Sequence, residues 1–269
     1  MKSPIPITVA GAGGRMGRRI LALASGHPEF KIVGALERKG AEVLGQDVGL
    51  LLGEKSLGVK VTADLEKGLA CAQVLIDLTH PSAAAAHLNA ALKQNVGLVI
   101  GTTGLSEEIL QTIKKASERI PILQTPNLSA GVNFLFELVS KAAQALDDSY
   151  DIEIVETHHR MKKDAPSGTA LELARLIAEA KKRDLKKSLI YGRQGETGER
   201  KKGTLALHAL RGGDVVGEHR VFFLADGEIL ELAHRATSRD AFARGALVAA
   251  KFVAGQKRGL YNMRHVFQS

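Results

Sequence analysis

Ile5-Pro6-Ile7-Thr8-Val9-Ala10-Gly11-Ala12-Gly13-Gly14-Arg15-Met16-Gly17 is the stretch that decides the fold. Its first six residues are a short apolar run that reads as a buried strand, and the glycines after it permit a tight turn. Arg18-Arg19-Ile20-Leu21-Ala22-Leu23-Ala24 then continues as a helix. Strand, glycine turn and helix in this order match the first crossover of a dinucleotide-binding fold. There the bare backbone can approach a pyrophosphate, and the helix N-terminus meets its charge. In the common fingerprint the third glycine falls where this chain has Met16, and Gly17 comes one residue later. A glycine pattern alone often marks only a tight turn, but its surroundings strengthen this one. Phe30-Lys31-Ile32-Val33-Gly34-Ala35-Leu36 is a second strand ending at Glu37, a carboxylate placed to receive ribose hydroxyls.

Further strands are expected at residues 74–78, 96–100 and 120–123, with helices at 81–94 and 106–119 between them. Such alternation implies right-handed crossovers and a parallel sheet covered on both faces. Gly101-Thr102-Thr103-Gly104 follows one of these strands, at an end where ligands gather in open sheets.

From Ser129 the pattern changes. A helix over 133–147 leads into Asp151-Ile152-Glu153-Ile154-Val155-Glu156, whose period of two reads as a strand with one buried face. The chain continues His158-His159-Arg160-Met161-Lys162-Lys163-Asp164-Ala165-Pro166-Ser167-Gly168-Thr169-Ala170 and then takes up helical spacing. Pro166 breaks any earlier helix, and Ser167 or Thr169 can cap the new one. Histidines and lysines crowded beside a helix N-terminus suit a small anion that must also be protonated. The plainer alternative is a solvated basic loop with an ordinary capping turn. Strand-like segments at 204–210, 214–224 and 228–236, separated by Gly212-Gly213 and Asp226-Gly227, suggest an antiparallel meander. The Gly- and Lys-rich stretch 192–203 is the candidate mobile loop. An Ala-rich helix over 241–254 follows, and a lone helix after a run of strands suggests a return to the first domain.

The length of 269 residues suits two domains, and 45% hydrophobic with 25% charged residues is the composition of a soluble globular protein. No apolar run is long enough to span a bilayer and no signal-peptide pattern opens the chain, so a cytoplasmic location is expected. Cys71 is the one cysteine, which excludes an intramolecular disulfide and a cysteine zinc site; no metal is expected. The net charge of +8 would suit nucleic acid, but the charges are scattered and aromatics make up only 4%, which leaves little for base stacking. A surface that attracts small anions explains the charge more simply.

With Asn127-Leu128-Ser129-Ala130-Gly131-Val132-Asn133, Arg211-Gly212-Gly213-Asp214-Val215-Val216-Gly217-Glu218-His219 and Gly259-Leu260-Tyr261-Asn262-Met263 added, the chain resembles the bacterial dihydrodipicolinate (4-hydroxy-tetrahydrodipicolinate) reductases nearly end to end. The run from Glu156 to Ala170 is specific enough to name that family alone, and Met16 in place of the usual third glycine is typical of it. His265 stands where the family more usually has an acid.

The resemblance implies an α/β protein made of an N-terminal Rossmann dinucleotide-binding domain and an α/β substrate and tetramerisation domain with a mixed sheet. The domains would span residues 1–129 and 130–240, and 241–269 would return to the first. It further implies reduction of a small cyclic dicarboxylate in lysine and diaminopimelate synthesis, with hydride to C4 and protonation at C3, by a homotetramer that binds neither nucleic acid nor membrane. His158 would be the proton donor and acceptor, and Lys162, four residues on, the second proton donor. His159, Gly168 and Thr169 would bind substrate. Cofactor contacts would come from Gly11, Ala12, Gly13, Gly14, Arg15, Met16, Glu37, Arg38, Gly101, Thr102, Thr103, Thr125, Pro126, Asn127 and Leu128. Glu37 favours NADH, whereas Arg38 and Lys39 favour the 2′-phosphate of NADPH, so use of both cofactors is expected. Two other readings are a related NAD(P)-dependent dehydrogenase of another small imine or aldehyde, and a non-catalytic Rossmann nucleotide-sensing or nucleic-acid-binding protein.

Overall fold

The opening strand and helix form as β1 (Ile5–Ala10) and α1 (Arg15–Ser25). They are followed by β2 (Phe30–Leu36), α2 (Val48–Leu51), β3 (Val61–Thr62), α3 (Leu65–Leu69), β4 (Val74–Asp77), α4 (Pro81–Gln94), β5 (Gly97–Ile100), α5 (Glu107–Ala116) and β6 (Pro121–Gln124). The computed structural model describes residues 3–267. It divides the chain into one unit that runs through Ser129 and resumes at Arg239, and a second unit, Ala130–Ser238.

The first unit is built on a parallel sheet, covered on both faces by helices. Apolar residues that alternate along each strand separate into two cores. Val74, Ile76, Val99 and Leu123 pack on the side of α1, whereas Leu75, Leu98, Ile100 and Ile122 pack on the side of α4 and α5. The period of two thus shows as two cores, and β4 and β5 are buried along their whole length. Local signals set the helix ends. Pro81 opens α4 and Asn95, in the left-handed region at φ 55°, closes it. Ser106 caps α5, whose acids lie in the first turn and lysines in the last.

The second unit comprises α6 (Ala130–Ala145), β7 (Asp151–His158), α7 (Gly168–Ala180), α8 (Leu185–Ser188), β8 (Leu189–Tyr191), β9 (Leu205–Arg211), β10 (Gly217–Ala225) and β11 (Glu228–Ala236). Its five strands run in the order β11-β10-β7-β9-β8. This corrects the expected antiparallel meander. Only β10 and β11 form a hairpin, while β9 pairs in parallel with β7 and β8 and is separated from β10 by β7. The α7 crossover allows β7 to sit in the middle of the sheet, where it gains partners on both sides. Ile152 and Ile154 of β7 join Leu173, Ile177, Val221 and Phe223 in a core under α6 and α7. The stretch 192–203 has no long element of its own, but Arg193 and Arg200 tie it to Glu153.

The last segment, α9 (Asp240–Ala254), β12 (Gly259–Tyr261) and α10 (Met263–Phe267), belongs to the first unit. There β12 completes the sheet order β12-β6-β5-β4-β1-β2-β3. Helix α9 packs beside α1, with Ala243, Ala246, Ala249 and Ala250 in the same core as Ile20 and Leu21. Among the described residues, no helix is long and apolar enough to cross a membrane.

Candidate active site

In a parallel sheet all strands end on one edge, and the first unit gathers its glycines and polar side chains there. Gly11 turns the chain at φ 74°, a conformation that favours glycine, and its N–H, with that of Ala12, donates to the Leu36 carbonyl at 2.9 and 3.0 Å. The helix that follows must sit very close to this turn. A Cβ on Gly17 would lie 2.0 Å from the Gly11 carbonyl oxygen. The packing function of the third glycine is therefore carried by Gly17, and Met16 is free to line the cleft.

Glu37 at the end of β2 is held by two backbone donors, Gly13 N–H at 2.9 Å and Arg38 N–H at 3.0 Å, one on each carboxylate oxygen. Each oxygen keeps a second lone pair for a ligand hydroxyl. Glu37, Arg38 and Lys39 line a cleft of about 530 Å³ together with Gly11, Gly14, Arg15 and Met16. Ala12 is buried behind the turn. Gly101–Thr103 and Thr125–Leu128 do not line this cleft; they follow β5 and β6 further along the edge. The Thr125 N–H donates to the Ile100 carbonyl at 3.0 Å, and the Thr125 hydroxyl donates to the Asn127 carbonyl at 2.8 Å. Thr102 is 3% exposed, and its hydroxyl has no hydrogen-bond partner. Such an orphan is costly unless a ligand satisfies it. A bare glycine turn, an oriented carboxylate and this orphan hydroxyl suit a dinucleotide.

Sequence reading missed His87, which lines this cleft, and Asp77 buried behind it. Asp77 is buried; its carboxylate accepts from His87 Nδ1 at 2.7 Å and from the Thr79 hydroxyl and N–H at 2.6 and 2.9 Å. Burial alone would raise its pKa, but the His87 and Thr79 hydrogen bonds keep it below its ordinary value. A lone Asp at a strand end and a lone His in a helix gave no sign of this pairing.

In the second unit the buried face of β7 changes from core to chemistry along one strand. Ile152 and Ile154 are core residues, while the next two inward positions are Glu156, with no exposure, and His158, 9% exposed. Glu156 accepts from His158 Nδ1 at 2.5 Å, from the Ser167 N–H at 3.0 Å, and from both terminal nitrogens of Arg211 at 2.9 and 2.8 Å. Burial pushes its pKa up, but the His158 hydrogen bond and the Arg211 guanidinium prevail and hold it at about 2.

Ser167 caps α7 by accepting from the Ala170 N–H at 3.2 Å, and its hydroxyl lies 3.1 Å from His219 Nε2. His219 is almost fully buried and stands edge-on to His158, with ring centroids 5.2 Å apart. Burial, then the neighbouring His158, push the His219 pKa down to about 3, so this ring is neutral at working pH.

Gly168 and Thr169 open α7, with Thr169 buried, and His159 and Lys162 lie half-buried on the loop before it. Lys162 Nζ pairs with Asp164 at 2.9 Å, and Lys163 is exposed. The loop is fastened from β9. The Gly212 N–H donates to the His158 carbonyl at 3.0 Å, the Arg160 N–H donates to the Gly213 carbonyl at 3.2 Å, and Arg211 donates to the Asp164 carbonyl at 2.7 Å. Neither Arg211 nor His219 had been read as part of a site. Both come from strands paired to β7, where His158 is in register with Arg211 and Glu156 with His219.

An oriented imidazole, a nearby ammonium group and a capped helix start can bind a carboxylate and deliver a proton. Residues 5–128 match the family model described as dihydrodipicolinate reductase, N-terminus, and residues 131–267 match its C-terminus model. The chain is 46% identical over 264 residues to the 4-hydroxy-tetrahydrodipicolinate reductase of Nitrosomonas europaea, covering 98% of both chains. It is 49% identical over 262 residues to that of an Anaeromyxobacter species, covering 97% of both. Among solved structures, a dipicolinate-bound dihydrodipicolinate reductase from Paenisporosarcina superposes with a TM-score of 0.74 at 27% identity, covering 96% of this chain and 97% of that one. An amine dehydrogenase from Mycobacterium smegmatis, at 12% identity and a TM-score of 0.61 with 95% and 94% covered, shares the fold alone. With both halves matched and near full-length identity to its members, the chain belongs to the dihydrodipicolinate reductase family.

Proposed function

We propose that this reductase acts on the cyclic dicarboxylate named in its relatives, 4-hydroxy-tetrahydrodipicolinate or its dehydrated form, and yields tetrahydrodipicolinate for lysine and diaminopimelate synthesis. The observation that carries the reading is the Glu156–His158 pair beside the Ser167-capped turn, which joins a proton carrier to an anion-binding helix start. The 4-hydroxyl, where present, leaves with a proton as water, and the reduced nicotinamide, when bound, would supply a hydride to C4 of the dehydrated ring. The remaining steps belong to side chains of this protein. His158 delivers a proton to C3 from Nε2, since Nδ1 is engaged by Glu156. Lys162 exchanges Asp164 for a substrate carboxylate and is the second proton donor. Gly168 and Thr169 offer backbone donors at the start of α7 to a carboxylate, with His159 beside them.

In the first unit, residues from Gly11 to Met16, with Glu37 and Arg38, hold the adenosine and pyrophosphate end, and the segments Gly101–Thr103 and Thr125–Leu128 hold the remainder. Both NADH and NADPH serve, because Glu37 accepts ribose hydroxyls while Arg38 and Lys39 line the same cleft and can meet a 2′-phosphate. The enzyme works in the cytoplasm as a homotetramer built through the sheets of its second units. Leu210 and Ile229, exposed on that sheet at 49% and 64%, support the assembly. Oxidation of NADH or NADPH in the presence of freshly made dihydrodipicolinate synthase product tests the reaction. No oxidation there by folded enzyme removes the reading. Sedimentation showing a stable, active monomer removes the tetramer.

A further inference from the structure

A fully buried carboxylate that faces four donors does more than fill a core. Glu156 joins three parts of the second unit: His158 on its own strand, Ser167 at the start of α7, and the distant Arg211 on β9. Arg211 meets it with both terminal nitrogens and reaches on to the Asp164 carbonyl, so the loop carrying Lys162 is clamped to the same point. An ionised carboxylate can only accept, so His158 Nδ1 must carry the hydrogen between them. That leaves Nε2 as the nitrogen that gains and loses a proton.

We infer that Glu156, clamped by Arg211, is a positioning residue that fixes His158 with its Nδ1 hydrogen engaged and ties it to the turn at Ser167, so that proton delivery and anion binding share one anchor. The inference rests on the reading of His158 as the proton donor. The charged and titratable groups around the pair are Arg211 from β9, His219 from β10 and Lys162 from the loop. His219 is held neutral, so it adds no competing charge, and Arg211 balances Glu156. Losing the carboxylate therefore leaves the imidazolium beside uncompensated positive charge.

The experiment combines three measurements on the full-length enzyme. In Glu156→Gln, kcat is expected to fall roughly 100-fold, the upper end of the range for losing an outer-shell partner that orients a histidine. The alkaline side of the pH profile of kcat is expected to change, because the charge of Arg211 is no longer balanced at this point. In the His158→Gln background, adding Glu156→Gln is expected to lower kcat by no more than about threefold, since a residue acting through His158 has nothing left to orient. Nitrogen NMR of the wild-type histidines, with His158 assigned by its loss in His158→Gln, is expected to show neutral His158 protonated at Nδ1. Full activity and an unmoved pH profile in Glu156→Gln, multiplicative losses in the double variant, or an Nε2-protonated neutral ring would each overturn the inference. If Glu156→Gln does not fold, the wild-type NMR decides. A His158→Gln enzyme at full speed removes the proposed role of His158, whereas a slow His158→Gln beside a full-speed Glu156→Gln removes only the role of Glu156.

Discussion

Nδ1 of His158 lies 2.5 Å from the carboxylate of Glu156, two residues earlier on the same buried face of β7. The alternation of a strand brings residues i and i+2 to one side, so a single element supplies both the imidazole and the carboxylate that holds it. His158→Gln is expected to lower kcat by roughly two to four powers of ten, the scale of positioned acid–base catalysis, with little change in NADH affinity. Lys162→Ala is expected to lower kcat and raise KM together, since charge and proton are both lost. Lys163 is exposed, and its replacement by Ala should leave both constants within about threefold. Steady-state kinetics on the three variants decide the matter. A more damaging Lys163→Ala would move the catalytic assignment by one residue.

Cofactor choice is expected to turn on two neighbours of opposite charge, Glu37 and Arg38. Wild-type enzyme is expected to prefer one nicotinamide by no more than about tenfold in kcat/KM, equivalent to roughly 1.4 kcal/mol. Arg38→Ala should selectively impair NADPH and Glu37→Ala should selectively impair NADH. Equal losses with both cofactors in both variants would exclude Glu37 and Arg38 from the adenosine ribose site, and a wild-type preference beyond a hundredfold would refute the balance.

Gly17→Ala tests the tight approach of α1 to the glycine turn. The added Cβ would meet a backbone carbonyl 2.0 Å away, and backbone cannot swing aside as a side chain can. Helix and turn must separate, which should weaken dinucleotide binding at least tenfold and cost about 1–3 kcal/mol of stability, the usual range for overpacking. Fluorescence titration with NADH and urea unfolding measure both. Unchanged affinity would mean that the turn does not touch the cofactor.

Acid should destabilise the protein in two stages. His219 has its folded pKa lowered to about 3 from an ordinary 6.5, so as pH falls through that window only the unfolded chain takes up the proton, and stability is lost. Glu156, lowered to about 2 from 4.5, adds a second loss below its ordinary value by the same reasoning. His219→Gln should flatten the first stage, between about pH 6.5 and 4.5, by up to about 1.4 kcal/mol per pH unit. Urea unfolding across that range checks it, and parallel curves for wild type and variant would disprove it.

The elements themselves were legible. β1, β2, α4 and β11 occupy the predicted residues, because buried faces impose their period on the local sequence. The short pieces were not: α2, β3, α8 and β12 are two to four residues long, too brief to show a period. At the candidate site, His158, His159, Lys162 and the Ser167 turn stood out because they occupy one stretch of chain. Arg211 and His219 did not, since only strand pairing brings them in.

Local sequence places the long strands, the long helices and the glycine turn, and it sets a histidine, a lysine and a helix start together between β7 and α7. Those features depend on neighbours a few residues away, through side-chain alternation, helical spacing, and the conformational limits of proline and glycine. The placing of β9 and β10 on either side of β7, the packing of Gly17 in place of the missing third glycine, and the clamping of Glu156 by Arg211 emerge only in the folded chain. Strand order and register come from which distant faces bury best against each other. That competition is settled across the whole unit, and no local pattern records its outcome.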